Sequence, residues 1–257
     1  MRHVLWLLAA LSALAVWTAP ANAEPPSAAL NLYAAGEYAA AADIAQRESH
    51  SAESLAFAAR AALAACVVDG EDEAMLQQAE RSARAALALN PDSVDARLQL
   101  AVVYGMRGRR ASLAEAFARN YAPRGRRLID EALALAPDSA EAEAVLGAWH
   151  LEIIRRSGRV GAIAYGARVE EGIAAFERAR ALAPDSAAIT LQYALALAEL
   201  DAARHSERID QLLGAIRELA PRDALEAFSQ SVASRLAATM ADSGPSAAAR
   251  LARAVMR

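Results

Sequence analysis

An eight-residue motif recurs along the chain and constrains its fold more than any other feature. Ala86-Leu87-Ala88-Leu89-Asn90-Pro91-Asp92-Ser93 returns as Ala132-Leu133-Ala134-Leu135-Ala136-Pro137-Asp138-Ser139 and as Ala179-Arg180-Ala181-Leu182-Ala183-Pro184-Asp185-Ser186. A looser copy is Leu219-Ala220-Pro221-Arg222-Asp223, and the four prolines stand 46, 47 and 37 residues apart. A leucine- and alanine-rich helix has to stop before each proline, which lacks an N–H and crowds the preceding turn. The Asp-Ser pair then offers side-chain oxygens to the free N–H groups that open the next helix. Each motif therefore marks a helix, a tight turn and a new helix. Units repeated in this way bury their apolar faces against their neighbours and build a solenoid.

Composition points the same way. Alanine supplies 72 of the 257 residues, and the 56% of hydrophobic residues include only 4 phenylalanines, 6 tyrosines and 3 tryptophans. Alanine and leucine are strong helix formers, whereas the β-branched and aromatic residues that favour strands are scarce, so an all-α protein is expected. The alanine stripes read as close helix packing rather than as a cofactor site. All 27 basic residues are arginine, which excludes a Walker-type phosphate loop, a pyridoxal Schiff base and a Ser-x-x-Lys pair. With 31 acidic residues the net charge is -4, so the chain has no general attraction to nucleic acid. Cys66 is alone, which rules out an intramolecular disulfide and a multi-cysteine metal centre.

The repeat resembles the tetratricopeptide repeat, a helix–turn–helix unit of about 34 residues. After Pro91, Leu100-Ala101 match the large–small pair of the first helix, Tyr104 its aromatic position and Gly108 the turn glycine. After Pro137 the pair is Leu146-Gly147, with His150 at the aromatic position. Ala132 and Ala179 match the small residue of the second helices, and Phe176 the larger one before it. Tyr33 to Tyr38, leading into Ala41, matches another unit's turn, and Tyr193-Ala194 the pair of a looser unit. The resemblance implies a right-handed α-solenoid over residues 24–241. Its units fall near 27–50, 51–91, 92–137, 138–184 and 185–221, with a closing helix at 222–241. Helices are expected at 27–35, 38–48, 51–66, 73–89, 93–107, 125–136, 139–156, 168–182, 186–202 and 206–219. The third and fourth units exceed the family length, so inserts must lie between their paired helices. Residues 242–257 read as a short tail that frays.

Arg2 and His3, an apolar run from Val4 to Val16 and the Ala21-Asn22-Ala23 pattern read as a secretory signal peptide over 1–23, cut after Ala23. The run is too short to span a bilayer comfortably, which takes about 20 residues. A periplasmic or secreted protein is expected.

In the tetratricopeptide family the concave face, lined by first helices, binds extended peptides. The matched leucines place Asp95, Leu98, Val102, Gly105 and Met106 on that face in one unit. The next presents Glu141, Ala144, Ala148, Leu151 and Glu152, and the third Ala188, Leu191, Leu195, Ala198 and Glu199. Relatives that hold a C-terminal carboxylate use lysine, arginine and asparagine there; this set has none and favours an apolar or basic segment. Alternatively, the face is solvated or covered by the inserts.

Arginines cluster at the inserts: Arg107, Arg109 and Arg110 open the first, Arg124, Arg126 and Arg127 close it, and Arg155, Arg156 and Arg159 open the second. Equivalent turns of neighbouring units should set them along one edge, and the turn at Asp69, Glu71, Asp72 and Glu73 gives that edge an acidic end. Such an edge is either solvated and charge-balanced or a docking surface for anionic lipid or an acidic partner. Nucleic acid is not expected, because aromatic residues are not interleaved with the arginines.

The Trp149-His150-Leu151-Glu152 segment, with the glycine-rich insert Ser157–Ala167 behind it, resembles the tetratricopeptide-type regulators of microtubule dynamics over a short stretch from which no function is taken. Residues one and two apart on a helix do not share a face, so Trp149, His150 and Glu152 do not converge alone. His150 reads as a packing residue. No His-Glu-x-x-His or Gly-x-Ser-x-Gly motif is present, and His50, His150 and His205 fall in separate units. Neither a cofactor nor a metal is expected. The reading is a non-enzymatic scaffold of the cell envelope that binds a protein through its groove. Two other classes stay open, a lipid-docking component and a ligand-binding or enzymatic protein whose pocket holds His150, Glu152 and Tyr165.

Overall fold

The computed structural model describes residues 24–48, 51–70 and 73–256. The expected signal peptide, with its cut after Ala23, and His50, Glu71 and Asp72 lie outside the described residues. Thirteen helices and no strand occur among those described. Helix α1 (Ser27–Ala35) packs on α2 (Tyr38–Glu48), α3 (Ala52–Val68) on α4 (Glu73–Leu89), and α5 (Val94–Arg110), across the short α6 (Leu113–Ala118), on α7 (Tyr121–Leu135). Further on, α8 (Ala140–Tyr165) packs on α9 (Val169–Leu182) and α10 (Ala187–Asp201) on α11 (Ser206–Arg217), before α12 (Ala224–Ser243) and α13 (Pro245–Val255). The result is an all-α solenoid of helix pairs.

The recurring motif does what its chemistry requires. Helices stop at Leu89, Leu135 and Leu182, two residues before each proline. The serine of each Asp-Ser pair makes the cap: Ser93 Oγ accepts from the Ala96 N–H at 3.3 Å, Ser139 from Ala142 at 3.1 Å and Ser186 from Ile189 at 3.3 Å. At the fourth copy the aspartate takes over, with Asp223 Oδ1 accepting from the Glu226 N–H at 2.9 Å.

Three segments depart from the expected helices. The first insert holds α6, and α7 starts at Tyr121 rather than at 125, because Pro123 falls in the first turn, where no N–H is needed. In the second insert α8 runs on to Tyr165, broken at Gly158 (φ 58, ψ −150) and capped by Gly166 (φ 68). Both positive φ values suit glycine. The C-terminal tail does not fray: α13 packs on α10 and α12, with Ala248 and Ala252 fully buried.

Small residues set the spacing between helices. Gly147 of α8 lies so close to α9 that a Cβ there would sit 2.6 Å from Phe176 Cδ2 and 2.9 Å from the Gly172 carbonyl oxygen. Gly172 answers from α9, where a Cβ would meet Leu151 Cδ2 at 2.8 Å. The chain also closes on itself. Helix α12 touches α1 and α3, Leu225 packs against Tyr38, Ala64 and Ala65, and a Cβ on Gly36 would lie 3.1 Å from Ala224 Cβ. The first helix thus meets the last but one, and the solenoid becomes a ring.

Gly147→Ala should destabilise the protein by about 1–3 kcal/mol through overpacking. Gly214→Ala, in α11 with open space around it, should be neutral or gain up to about 1 kcal/mol of helix propensity. Urea unfolding of the two variants tests this contrast.

Candidate functional site

The ring surrounds a cavity of about 880 Å³ that draws its lining from every helix pair and from α12. Tyr33 comes from α1, Leu63 and Cys66 from α3, Val102 and Met106 from α5, Ile129 from α7, Trp149 from α8, Leu191 and Leu195 from α10 and Phe228 from α12. The lining is overwhelmingly apolar, and Val255 and Met256 bring the chain's end to it. The volume lies in the upper part of the range of about 300–1,000 Å³ usual for ligand pockets.

Its charged side chains already have partners, while Gln192 and the Tyr33, Tyr121 and Tyr165 hydroxyls make no side-chain hydrogen bond among the described residues. Arg60 pairs with Asp95 at 2.7 Å, and Gln99 donates to the same carboxylate at 2.8 Å. Arg109 reaches Glu152 at 2.8 Å and Glu199 at 2.9 Å, and Arg155 also holds Glu152, at 2.7 Å. Arg156 donates to the carbonyl oxygens of Gly108 and Ala111, and burial pulls its guanidinium pKa below the usual arginine value. Trp149 Nε1 donates to the Ala122 carbonyl at 3.0 Å. The wall is therefore largely apolar contact surface, with its charges paired internally and a few scattered polar groups left free.

Of the expected groove residues, Val102, Gly105, Met106, Ala148, Glu152, Ala188, Leu191 and Leu195 line the cavity. Leu98 does not: it is buried against Ala132 and Ala142. Leu151 is also core, packed on Gly172 beside Phe176, and Ala144 and Ala198 are buried with it. Asp95 is the partner of Arg60, Glu141 is exposed and outside the lining, and Glu199 lies beneath the wall as a carboxylate for Arg109. The expectation of a groove without basic groups is corrected by Arg60, Arg109 and Arg156. Tyr33, Cys66, Phe228 and Met256 had no signal in the sequence, because they come from other units and from the far end of the ring.

The arginine edge is largely neutralised. Arg107 pairs with Glu73 and Glu80, and Arg110 with Glu73, so Glu73 of the acidic turn meets the arginines instead of standing at a separate end of an edge. Arg126 pairs with Asp130 at 2.7 Å and Arg127 with Glu131 at 3.7 Å. Arg124 lies 4.1 Å over the Tyr104 ring and donates to its hydroxyl. Arg159 alone of the nine carries neither an ion pair nor a side-chain hydrogen bond among the described residues.

A crystal structure of a thermophilic TPR protein from Thermus thermophilus has the same fold, with a TM-score of 0.55, 22% identity, and coverage of 81% of this chain and 96% of that one. No curated protein matches the sequence. The family described as regulator of microtubule dynamics protein 1-3 matches residues 29–241. The chain belongs to this family. The likeness is thus far wider than the Trp149 segment and takes in every helix pair and α12. In this member of the regulator of microtubule dynamics family, Trp149 and Tyr165 line the cavity together with Glu152, but His150 does not.

His150 faces α9 instead. Its Nδ1 accepts from the Arg168 backbone N–H at 3.2 Å, which places the ring proton on Nε2, and Trp149 meets it edge-on at 5.1 Å. Burial, followed by the nearby Arg126 charge, pushes its pKa down to about 4. Among the described residues no group of three histidine, cysteine or carboxylate side chains is placed to hold a metal.

Because the folded pKa of His150 lies below its unfolded value of about 6.5, the unfolded chain takes up the proton first. Its contribution is present above pH 6.5 and is lost as pH falls towards 4. Between pH 7 and pH 4.5 the wild type should lose on the order of 1–2 kcal/mol more than His150→Asn, which keeps an acceptor for Arg168. Urea midpoints at the two pH values test this.

Proposed function

We propose that this chain is an exported, non-catalytic binding protein whose ligand is a small apolar molecule held in the central cavity. The cavity itself carries the reading: about 880 Å³ enclosed by a mostly apolar wall whose charged side chains are already paired. The tetratricopeptide-like fold supports a binding role, since such repeats serve as scaffolds for other molecules rather than as catalysts. An extended peptide, the usual occupant of such a concave face, brings backbone N–H and C=O groups that need partners. This wall offers only scattered ones, Gln192 and the Tyr33, Tyr121 and Tyr165 hydroxyls, whereas an apolar molecule needs none and gains by leaving water. Export rests on the leader at 1–23, which would also take the chain away from the microtubules of its family's description. The outer surfaces of the ring stay available to protein partners.

The full chain with Trp6→Phe and Trp17→Phe retains Trp149 as its only tryptophan, inside the cavity. Titration with the apolar fluorophore diphenylhexatriene should quench Trp149 emission by energy transfer. Ala148→Phe with Ala188→Phe, which fills the cavity from two walls, should weaken binding by about tenfold or more, since two rings occupy the ligand's volume. No transfer, or equal binding by the filled variant, overturns the reading.

A further inference from the structure

The three most exposed large apolar side chains among the described residues are not scattered. Ile163 is 83% exposed, Val160 80% and Phe117 70%; Leu113, at 57% level with Leu89 of α4, shares α6 with Phe117. All four belong to the two inserts, the segments by which this chain exceeds the repeat length. The inserts are held side by side, because Arg156 of α8 donates to the carbonyl oxygens of Gly108 and Ala111, where the first insert begins.

Their apolar faces run into the cavity, with Ile163 standing outside its lining one turn from Val160. Leu113, Ala116 and Phe117 lie on one face of α6, and Val160, Ala164 and Tyr165 on the last turns of α8; all six line the cavity mouth. The fold gains nothing from holding these side chains in water, and a contiguous exposed apolar patch marks a surface that is covered in use. The charges around the patch indicate what covers it. Residues 111–120 and 157–166 contain one carboxylate, Glu115, against Arg119 and Arg159, and neither arginine has a carboxylate partner among the described residues. Aliphatic and aromatic side chains ringed by unpaired arginines, with Tyr121 and Tyr165 at the border, match the layering of a membrane surface. Apolar groups enter the acyl boundary, tyrosines sit at the headgroups and guanidinium groups meet phosphate. No described helix is long and apolar enough to cross a membrane, so this contact lies in the interface.

We infer that the two inserts dock the mouth of the cavity on a phospholipid surface, with Leu113, Phe117, Val160 and Ile163 inserted and Arg119 and Arg159 on the phosphates. Of the nine arginines at the inserts only Arg159 takes part, since Arg107, Arg109, Arg110, Arg126, Arg127 and Arg155 meet carboxylates, Arg156 backbone carbonyls and Arg124 a tyrosine hydroxyl. The inference deepens the cavity reading by giving an apolar ligand a dry route in, and rests on that reading only for its purpose.

The test is hydrogen exchange of the full chain with and without phosphatidylcholine–phosphatidylglycerol vesicles. Amides of 113–118 and 159–165 should exchange several-fold more slowly on vesicles, while those of 82–89 in α4 stay unchanged. Phe117→Asp, Val160→Asp and Ile163→Asp together leave residues 1–23 intact and alter only exposed positions, so helicity is retained while the slowing disappears. Arg119→Gln with Arg159→Gln should keep weak docking on phosphatidylcholine alone and lose the gain from phosphatidylglycerol. Equal insert exchange with and without vesicles overturns the inference, as does slowing that follows protein concentration in their absence, which would assign the patch to a second copy. Docking lost with Trp149 energy transfer intact ends this inference alone; transfer lost with docking intact ends the cavity reading alone.

Discussion

How closely its helices can approach one another decides the rest of this structure. At the α8–α9 contact there is no room for a Cβ on Gly147 or Gly172, and Phe176 and Leu151 fill the space that the glycines leave. In the first units the same part is played by alanine, with Ala41, Ala42, Ala59 and Ala62 fully buried. Each such contact contributes little by itself, but dispersion accumulates over many close-packed atoms. Spending small residues between helices leaves several of the large ones, Tyr33, Trp149, Phe228 and Met256, for the inner wall. The apolar cavity is a consequence of where the chain puts its bulk.

Charge is organised by the fork of arginine. Arg109 of α5 holds Glu152 of α8 and Glu199 of α10 at once, so one guanidinium ties three units together. Lysine, a single point charge, is less suited to such bridging. The Glu199 side chain is only 1% exposed. Arg109 holds its Oε2 at 2.9 Å, while its Oε1 makes no hydrogen bond among the described residues, so the ion pair carries most of the compensation that a carboxylate buried to that degree needs. Once these pairs are made, Arg159 is the one member of the arginine clusters left with neither an ion pair nor a side-chain hydrogen bond among the described residues.

Local chemistry was legible in the sequence. Prolines marked the helix ends, Ser93, Ser139 and Ser186 capped where the motif placed them, and Leu146-Gly147 sat at a close contact. Half of the candidate groove was legible too, because Val102, Met106, Leu191 and Leu195 follow from helical spacing. Leu98 and Leu151 did not follow, since periodicity assigns a residue to a face but not to the neighbour that covers that face. Pairings such as Arg109 with Glu199, 90 positions apart, leave no local trace at all. The α13 segment, rich in alanine and arginine, resembles a fraying tail until α10 and α12 supply the surface that buries Ala248 and Ala252.

Contact of α12 with α1 and α3 changes the statistics of the whole array. An open solenoid behaves as a line of neighbours, and its ends can peel away one unit at a time. A ring has no free end, so the first unit is held by the last and loosening either exposes the same shared interface. Unfolding then tends towards a single cooperative event. Folding carries the matching cost, because closure joins segments nearly the full length of the described chain apart and has to wait until the pairs between them are in place.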